Sequence, residues 1–217
     1  MKKKLVIFDF DGTMVDTIID AAVCFNKTLD FFGFKTYPIE QYANLFGGNL
    51  EVIFSRLLDE KDRIPENISK LKEKYREIYS DYSKPNTKPF DGIIDVLKTL
   101  NDNNILVAIN TNKAQKLTEE LCKTKFNGFK FSGIFGYCDE RPSKPDPYGV
   151  NELMKINNVQ PVDTVYVGDG LTDIKTAENA GIDCILVSWG QGNIEALSKE
   201  NAVSFIANTP SDILRFI

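Results

Sequence analysis

Residues 5–13 read LVIFDFDGT, and this stretch decides much of the predicted fold. Its first half is apolar without interruption, which is typical of a strand buried on both faces of a parallel sheet. We predict a strand over Leu5–Phe10. Asp9 and Asp11 stand two positions apart, so strand geometry directs both carboxylates to one side. The following Gly12 indicates that the chain turns there.

Further apolar, β-branched runs predict four more strands: Ile105–Thr111, Gly133–Cys138, Thr164–Gly168 and Ile182–Ser188. Helical patterns alternate with them: Ile93–Asn101, Ala114–Lys125, Tyr148–Asn157 and Leu171–Ala180. Strands that alternate with helices favour a doubly wound, Rossmann-like α/β fold around a parallel sheet.

One long segment interrupts this alternation. Residues 16–85 carry helical signals and no convincing strand, and Asp16 is suited to cap the first helix of the segment. A proline-containing linker follows it. We therefore predict an all-helical insertion, called the cap, over residues 16–85. The α/β core would consist of residues 1–15 and 86–217.

Composition excludes several classes of protein. A net charge of -5 over 217 residues argues against a nucleic-acid partner, because such proteins normally present a basic face. No apolar run approaches the length that spans a membrane. The lysines at positions 2–4 resemble the charged start of a signal peptide, but the apolar stretch behind them is too short. We expect a cytoplasmic protein that is a monomer or a weak oligomer.

The residue types available restrict the chemistry. The sequence has no histidine, which excludes the Ser-His-Asp triad and histidine metal sites. The four cysteines are scattered without a C-x-x-C pair, so we expect free thiols: Cys24, Cys122, Cys138 and Cys184. A bound metal must therefore use oxygen ligands, which favours a magnesium-like ion.

Polar residues cluster where three predicted strands end, and a lysine precedes two prolines in a nearby loop. They are Asp9, Asp11, Thr111, Asn112, Lys144, Asp169 and Asp173. Ligands of open α/β sheets gather at the carboxyl ends of the strands. Carboxylates, a hydroxyl, an amide and a lysine together fit phosphoryl transfer assisted by magnesium. A carboxylate can itself serve as the nucleophile.

These residues form four short motifs that resemble those of the haloacid dehalogenase superfamily. The motifs are Asp9-x-Asp11-Gly12-Thr13, Thr111-Asn112, Lys144-Pro145 and Gly168-Asp169-x-x-x-Asp173. Their order, and the helical insertion, are similar to the phosphoglycolate phosphatase-like and beta-phosphoglucomutase-like branch. The resemblance covers nearly the whole chain. It implies a Mg²⁺-dependent phosphatase that acts on a small phosphorylated metabolite through an aspartyl-phosphate intermediate.

The resemblance also implies a role for each matching residue. Asp9 would be the nucleophile, and Asp11 would be the general acid and base. Lys144 would balance the charge between Asp9 and the phosphoryl group. The residues implied to bind phosphate are Asp11, Gly12, Thr111, Asn112 through its backbone, and Lys144.

The implied magnesium ligands come from the first and last motifs. They are the Asp9 carboxylate, the Asp11 backbone carbonyl and Asp169. Asp173 would orient a metal-bound water or Lys144 rather than bind the metal. In the cap, Gly47 and Gly48 resemble a turn that faces the active site in capped relatives, although an ordinary interhelical loop explains them equally well.

Other activities of the same family are less well matched. Dehalogenation needs no acid–base group at position 11, so Asp11 speaks against it. Related mutases tend to use a cap histidine and a basic residue after the cap glycine, whereas here Asn49 and Leu50 follow. Phosphonate hydrolysis would need a buried cap lysine, and neither Lys27 nor Lys35 is marked as one.

A different class of protein also matches part of the pattern. Receiver domains of signalling proteins use an aspartyl-phosphate, magnesium, a threonine and a lysine on a doubly wound sheet, and a catalytically silent binding module is a further alternative. Asp11 and the helical insertion distinguish this chain from receivers. The substrate stays open at this level: phosphoglycolate, sugar phosphates, nucleoside monophosphates and pyrophosphate all fit.

Overall fold

The computed structural model describes residues 3–46 and 48–217, without the side chains of residues 43 and 44. The strands are β1 Leu5–Phe8, β2 Val15–Asp16, β3 Lys88–Pro89, β4 Leu106–Ala114, β5 Gly133–Tyr137, β6 Thr164–Gly168, β7 Asp183–Val187 and β8 Val203–Ala207. The helices are α1 Ile18–Phe31, α2 Leu50–Leu57, α3 Pro65–Asp81, α4 Ile93–Asp102, α5 Gln115–Lys125, α6 Tyr148–Asn157, α7 Leu171–Ala180, α8 Ile194–Leu197 and α9 Ile213–Phe216. Short 3₁₀ segments lie at Ile39–Asn44, Glu60–Asp62, Pro161–Asp163 and Pro210–Asp212.

Six strands form one sheet in the order β5-β4-β1-β6-β7-β8. Every pairing recorded between neighbouring strands is parallel. The chain moves outward from β1 through β4 to β5, then returns past β1 and continues through β6 to β8. This reversal makes β1 the switch point of the sheet, where open α/β folds place their ligands. The predicted doubly wound α/β fold is confirmed.

The apolar run of β1 explains its central place. Val6 and Phe8 belong to one fully buried cluster, which includes residues of α4, α5 and α9. Leu5 and Ile7 belong to the other cluster, which includes residues of α6 and α7. Successive side chains of a strand point to opposite faces, so the run needs apolar residues at every position. Full burial of each such side chain contributes about 1.5–3 kcal/mol.

Strand bounds differ from the prediction at a few places. β1 ends at Phe8 rather than at residue 10, because the chain turns at Gly12, which has a φ of 83° and donates a hydrogen bond to the Val15 carbonyl at 2.9 Å. β4 continues past the predicted end to Ala114. β8 was not predicted from the sequence. It is half-buried and lies at the edge of the sheet, so it lacks the continuous apolar signal of the inner strands.

Helix bounds follow their local signals closely. α6 and α7 have the predicted bounds, and α7 ends at Gly181, which adopts a left-handed φ of 67°. α1 begins at Ile18 rather than directly after Asp16. The Asp16 carboxylate nevertheless accepts a hydrogen bond from the Ile18 amide at 3.2 Å, so it does satisfy one amide at the start of this helix.

The chain divides into two compact units. One consists of Met1–Val15 and Lys88–Ile217, and the other is Asp16–Thr87. Within the second unit, residues 17–46 and 48–87 contain helices and no strand. Its core is aromatic: the ring of Phe25 lies 4.2 Å from Tyr75 and 5.0 Å from Phe54, centre to centre. The predicted role of residues 16–85 as a cap stays a prediction.

Within residues 3–46 and 48–217, none of the helices combines the length and the apolar character required to cross a bilayer.

Candidate active site

Strand register brings the predicted site residues to one edge of the sheet. Phe8, the last residue of β1, is aligned with Ile109 of β4 and with Val167 of β6. The Asp9 amide then donates a hydrogen bond to the Val167 carbonyl at 2.8 Å. Residues that follow these three positions therefore emerge together at the carboxyl ends of the strands.

Lys144 lies between two carboxylates at the centre of this edge. Its Nζ donates to Asp9 Oδ1 at 2.7 Å and to Asp173 Oδ1 at 2.6 Å, and all three residues are buried. Burial raises the pKa of Asp9 to about 6, although Lys144 opposes this change. Burial acts to lower the pKa of Lys144, but Asp173 and Asp9 hold it well above its usual value. The lysine is therefore a permanent cation.

Asp173 uses both of its carboxylate oxygens. Oδ1 accepts from Lys144, while Oδ2 accepts from the amides of Asp169 at 3.2 Å and Gly170 at 3.0 Å. These contacts fix Asp173 at the start of α7. Such an arrangement suits a residue that orients Lys144.

Asp169 is a further buried carboxylate of the site. Its Oδ1 accepts from the Thr13 hydroxyl at 3.2 Å, and its Oδ2 accepts from the Gln191 amide at 2.7 Å. Burial, together with the nearby charges of Asp173 and Asp9, raises the pKa of Asp169 to about 7. A buried carboxylate among other carboxylates is costly without a cation beside it.

Three carboxylates of the site could share a metal ion. Ligand atoms of Asp9, Asp169 and Asp173 all lie within 4.8 Å of one another, and the three residues are buried. Oxygen donors of this kind suit a hard divalent cation such as Mg²⁺. The raised pKa values of Asp9 and Asp169 fit the same conclusion, because a cation would relieve the repulsion that contributes to them.

Thr111 and Asn112 lie near the end of β4, as the sequence predicted. Thr111 is buried. The side chain of Asn112 contacts the backbone of Lys144 twice: Nδ2 donates to its carbonyl at 3.1 Å, and Oδ1 accepts from its amide at 2.9 Å. The sequence predicted the Asn112 amide as part of a phosphoryl-transfer site, but it did not predict this contact, which fixes the loop that carries Lys144.

Asp11 has a partner that the sequence analysis did not identify. Lys113 Nζ lies 3.0 Å from Asp11 Oδ1 and 3.1 Å from Oδ2. Lys113 follows the Thr111-Asn112 motif directly, and that adjacency was the only signal in the sequence that could have drawn attention to it.

Gly47 and Gly48 are the two residues of the inserted segment that the sequence suggests as substrate contacts. Gly47 lies outside the described residues. Gly48 is exposed, has a φ of 95° and precedes Asn49, whose side chain accepts from the Val52 amide at the start of α2. A role in substrate binding stays a prediction for both.

Comparison with known proteins shows the family of the chain. The family model described as haloacid dehalogenase-like hydrolase matches residues 6–187. The match covers most of the chain, which therefore belongs to the haloacid dehalogenase-like hydrolase family.

Relatives of known name indicate the branch of the family that this chain resembles. Phosphoglycolate phosphatase 1 of Pseudomonas aeruginosa is 30% identical over 209 residues, which cover 94% of this chain and 76% of the relative. Phosphoglycolate phosphatase of Vibrio parahaemolyticus is 27% identical over 219 residues, which cover 99% of this chain and 96% of the relative. The chain is a phosphatase that resembles this branch of the family.

Solved structures show the same fold. A crystal structure from Lactobacillus delbrueckii subsp. bulgaricus, provisionally described as a phosphoglycolate phosphatase, superposes with a TM-score of 0.91. It is 26% identical, and the match covers 100% of this chain and 99% of that one. A haloacid dehalogenase-like family hydrolase from Streptococcus pneumoniae superposes with a TM-score of 0.86 at 24% identity, covering 99% and 98% of the two chains.

Proposed function

We propose that this chain is a Mg²⁺-dependent phosphatase that hydrolyses a small phosphorylated metabolite through a phosphorylated Asp9. The observation that carries this proposal is the position of Asp9. It is buried at the end of the central strand, Lys144 holds one of its oxygens at 2.7 Å, and Asp169 lies beside it. A carboxylate in these surroundings is oriented for attack and is not a solvated surface charge.

The first half of the reaction transfers the phosphoryl group to the enzyme. A carboxylate oxygen of Asp9 forms a bond to phosphorus while the bond from phosphorus to the leaving oxygen breaks. Asp11 gives its proton to that leaving oxygen. Thr111 and the backbone at Asp11 and Asn112 hold the phosphoryl oxygens, and Lys144 balances their charge. The predicted phosphate contact through Gly12 is not part of this proposal, because the Gly12 amide already donates to the Val15 carbonyl.

The second half of the reaction releases phosphate. Asp11, now ionised, takes a proton from a water molecule, and the water oxygen attacks phosphorus. The bond between phosphorus and Asp9 breaks, which restores the carboxylate. Asp11 is thereby protonated again and is ready for the next leaving group.

A Mg²⁺ ion would be held by the Asp9 carboxylate, the Asp11 backbone carbonyl and Asp169. When bound, it neutralises charge on the phosphoryl group and the carboxylates. Asp173 belongs to the same carboxylate cluster, but its oxygens already accept hydrogen bonds from Lys144, Asp169 and Gly170. We therefore assign Asp173 to the orientation of Lys144.

Phosphoglycolate is the first substrate to test, because the two relatives described above are phosphoglycolate phosphatases. Small sugar phosphates, nucleoside monophosphates and pyrophosphate are the further candidates. Hydrolysis is favoured over mutase activity, because the sequence has no histidine for the cap and no basic residue directly after Gly48. We propose a cytoplasmic monomer or weak oligomer without a nucleic-acid or membrane partner.

Replacement of the nucleophile tests the proposal. Asp9→Asn should lower Mg²⁺-dependent release of phosphate from p-nitrophenyl phosphate and phosphoglycolate by at least about 1,000-fold, because an amide does not attack phosphorus. Asp95→Asn, at an exposed position on α4, is the control and should retain full activity. Substantial turnover by Asp9→Asn would refute the assignment. Stoichiometric phosphorylation of the wild type without turnover would favour a phospho-aspartyl receiver instead.

A further inference from the structure

Lys113 forms an ion pair with Asp11, the proposed general acid and base. Its side chain is 7% exposed, and its ammonium group bridges both carboxylate oxygens of Asp11 at 3.0 and 3.1 Å. The two residues are 102 positions apart in sequence and belong to the same compact unit. A contact to both oxygens fixes the rotation of a carboxylate as well as its place.

The backbone of Lys113 is also tied to the phosphate-binding residues. Its amide donates to the hydroxyl of Thr111 at 3.3 Å, and the intervening Asn112 holds the backbone of Lys144. Three successive residues at the end of β4 therefore serve three parts of the site. Thr111 is placed for the phosphoryl group, Asn112 for the Lys144 loop and Lys113 for Asp11.

Asp11 needs such a partner for an electrostatic reason. Its carboxylate is 32% exposed and lies near the charge of Asp9. Like charges repel, and an aspartate side chain next to solvent has other rotamers to adopt. Lys113 opposes both tendencies, because an ion pair anchored by a buried lysine keeps the carboxylate at the strand end.

We propose that Lys113 is a positioning residue that holds Asp11 in place for proton transfer to the leaving group. When Asp11 is protonated, its unprotonated oxygen accepts from the ammonium group, and its protonated oxygen faces the leaving oxygen. During phosphoryl transfer the proton moves from this second oxygen to the leaving oxygen as the phosphorus–oxygen bond breaks. Lys113 keeps its own protons throughout. This role rests on the proposed function of Asp9 and Asp11.

Two substrates with different leaving groups distinguish a role in positioning Asp11 from a role in stabilising the fold. An alkoxide such as that of glycolate needs a proton to depart, whereas 4-nitrophenol is acidic enough to leave as its anion. The ratio kcat/KM reports the steps through the first irreversible phosphoryl transfer. Misplacement of Asp11 should therefore lower kcat/KM selectively for the alkyl ester.

The experiment compares phosphoglycolate, or whichever proposed alkyl phosphate the wild type turns over best, with p-nitrophenyl phosphate at saturating Mg²⁺. Lys113→Met should lower kcat/KM about 100-fold for the alkyl ester, in line with the contribution of general acid catalysis, and less than about 5-fold for the aryl ester. Lys113→Arg should recover much of the selective loss, because a guanidinium group also reaches both carboxylate oxygens.

Lys3→Met provides a matched control. Lys3 is equally buried, at 7% exposure, and pairs with Asp183, but neither residue belongs to the site. This variant should retain kcat/KM for both esters. Equal losses on the two esters in Lys113→Met, or no loss on either, would overturn the positioning role. A wild type without Mg²⁺-dependent turnover of any ester would instead contradict the proposed function itself.

Discussion

The density of charge around Lys144 is the main feature of the site at the scale of single residues. Asp9, Asp169 and Asp173 offer oxygens within 4.8 Å of one another. The ammonium group of Lys144 contacts two of these carboxylates, Asp9 and Asp173. Ionisation of all three without a further cation carries a large desolvation cost. The pKa values of these carboxylates should therefore depend strongly on bound magnesium.

This dependence predicts how stability changes with pH. In the metal-free protein burial raises the pKa of Asp9 from its ordinary 3.8 to about 6, and that of Asp169 to about 7. The unfolded chain releases these protons at lower pH than the folded chain does. Stability of the metal-free core should therefore fall by several kcal/mol as pH rises from about 4 to about 7.

Urea unfolding at about pH 5 and about pH 7.5, in chelator and in excess magnesium, measures this effect. No histidine titrates in this pH range, because the sequence has none, so its titration does not complicate the measurement. Magnesium should remove the loss, since metal ligation favours the ionised carboxylates. A metal-free protein that becomes more stable between these two pH values would contradict the assignment of the cluster.

At the scale of elements, the loop after β7 encloses Asp169. The Gln191 amide donates to Asp169 Oδ2, and the glycines on either side approach the same residue closely. A methyl group at Gly190 would lie 2.2 Å from Asp169 Cβ, and one at Gly192 would lie 1.9 Å from its carbonyl oxygen. Trp189 donates from Nε1 to the Thr13 carbonyl at 3.1 Å, which ties this loop to the first motif.

Gly190→Ala should therefore displace Asp169 and weaken magnesium binding. We expect at least a 10-fold rise in the magnesium dissociation constant, about the effect of losing a group that orients a metal ligand. Isothermal titration calorimetry with MgCl₂ measures it directly, without reference to turnover.

Gly181→Ala is the control for the Gly190 variant. Gly181 ends α7 with a φ of 67°, and nothing lies within 4 Å of a methyl group placed there. The substitution should lower stability through backbone strain while it leaves the magnesium affinity unchanged. Equal affinities in the two variants and the wild type would show that the loop does not position Asp169.

At the scale of the whole molecule, a buried aspartate connects the first helix of the inserted unit to the last residues of that unit. Asp20 of α1 is 0% exposed, and its carboxylate accepts from the Asn86 amide at 3.0 Å, from Asn86 Nδ2 at 2.9 Å and from the Thr87 hydroxyl at 2.7 Å. These contacts join the first helix of Asp16–Thr87 to the last residues of the same unit. The two ends of the insertion are thereby fixed to each other.

Asp20→Ala should destabilise this unit by about 3 kcal/mol, because it leaves three donors without their charged acceptor. Hydrogen exchange should show lost protection in α1 and α3 and little change in β1 of the other unit. Asp30→Ala, at an exposed position on the same helix, is the control and should leave exchange unaltered. Uniform loss of protection over both units, or none in either, would contradict a local role for Asp20.

Much of the core could be predicted because its signals are local. The apolar run before Asp9 marks a strand covered on both faces, and Gly181 marks the end of a helix. β8 gave no comparable signal. It lies at the edge of the sheet and is only partly buried, so its position depends on pairing with β7 rather than on its own composition.

By itself, the sequence determined the order of the inner strands and the helices between them, the α/β class and the positions at which carboxylates, threonine and lysine follow strand ends. These features depend on residue type and short-range periodicity. Only the tertiary structure decided two pairings that were not expected: Lys113 with Asp11 across 102 positions, and the Asn112 side chain with the Lys144 backbone across 32. Such pairs arise where strand register and loop paths bring distant residues to one edge of the sheet, and no local pattern encodes that convergence.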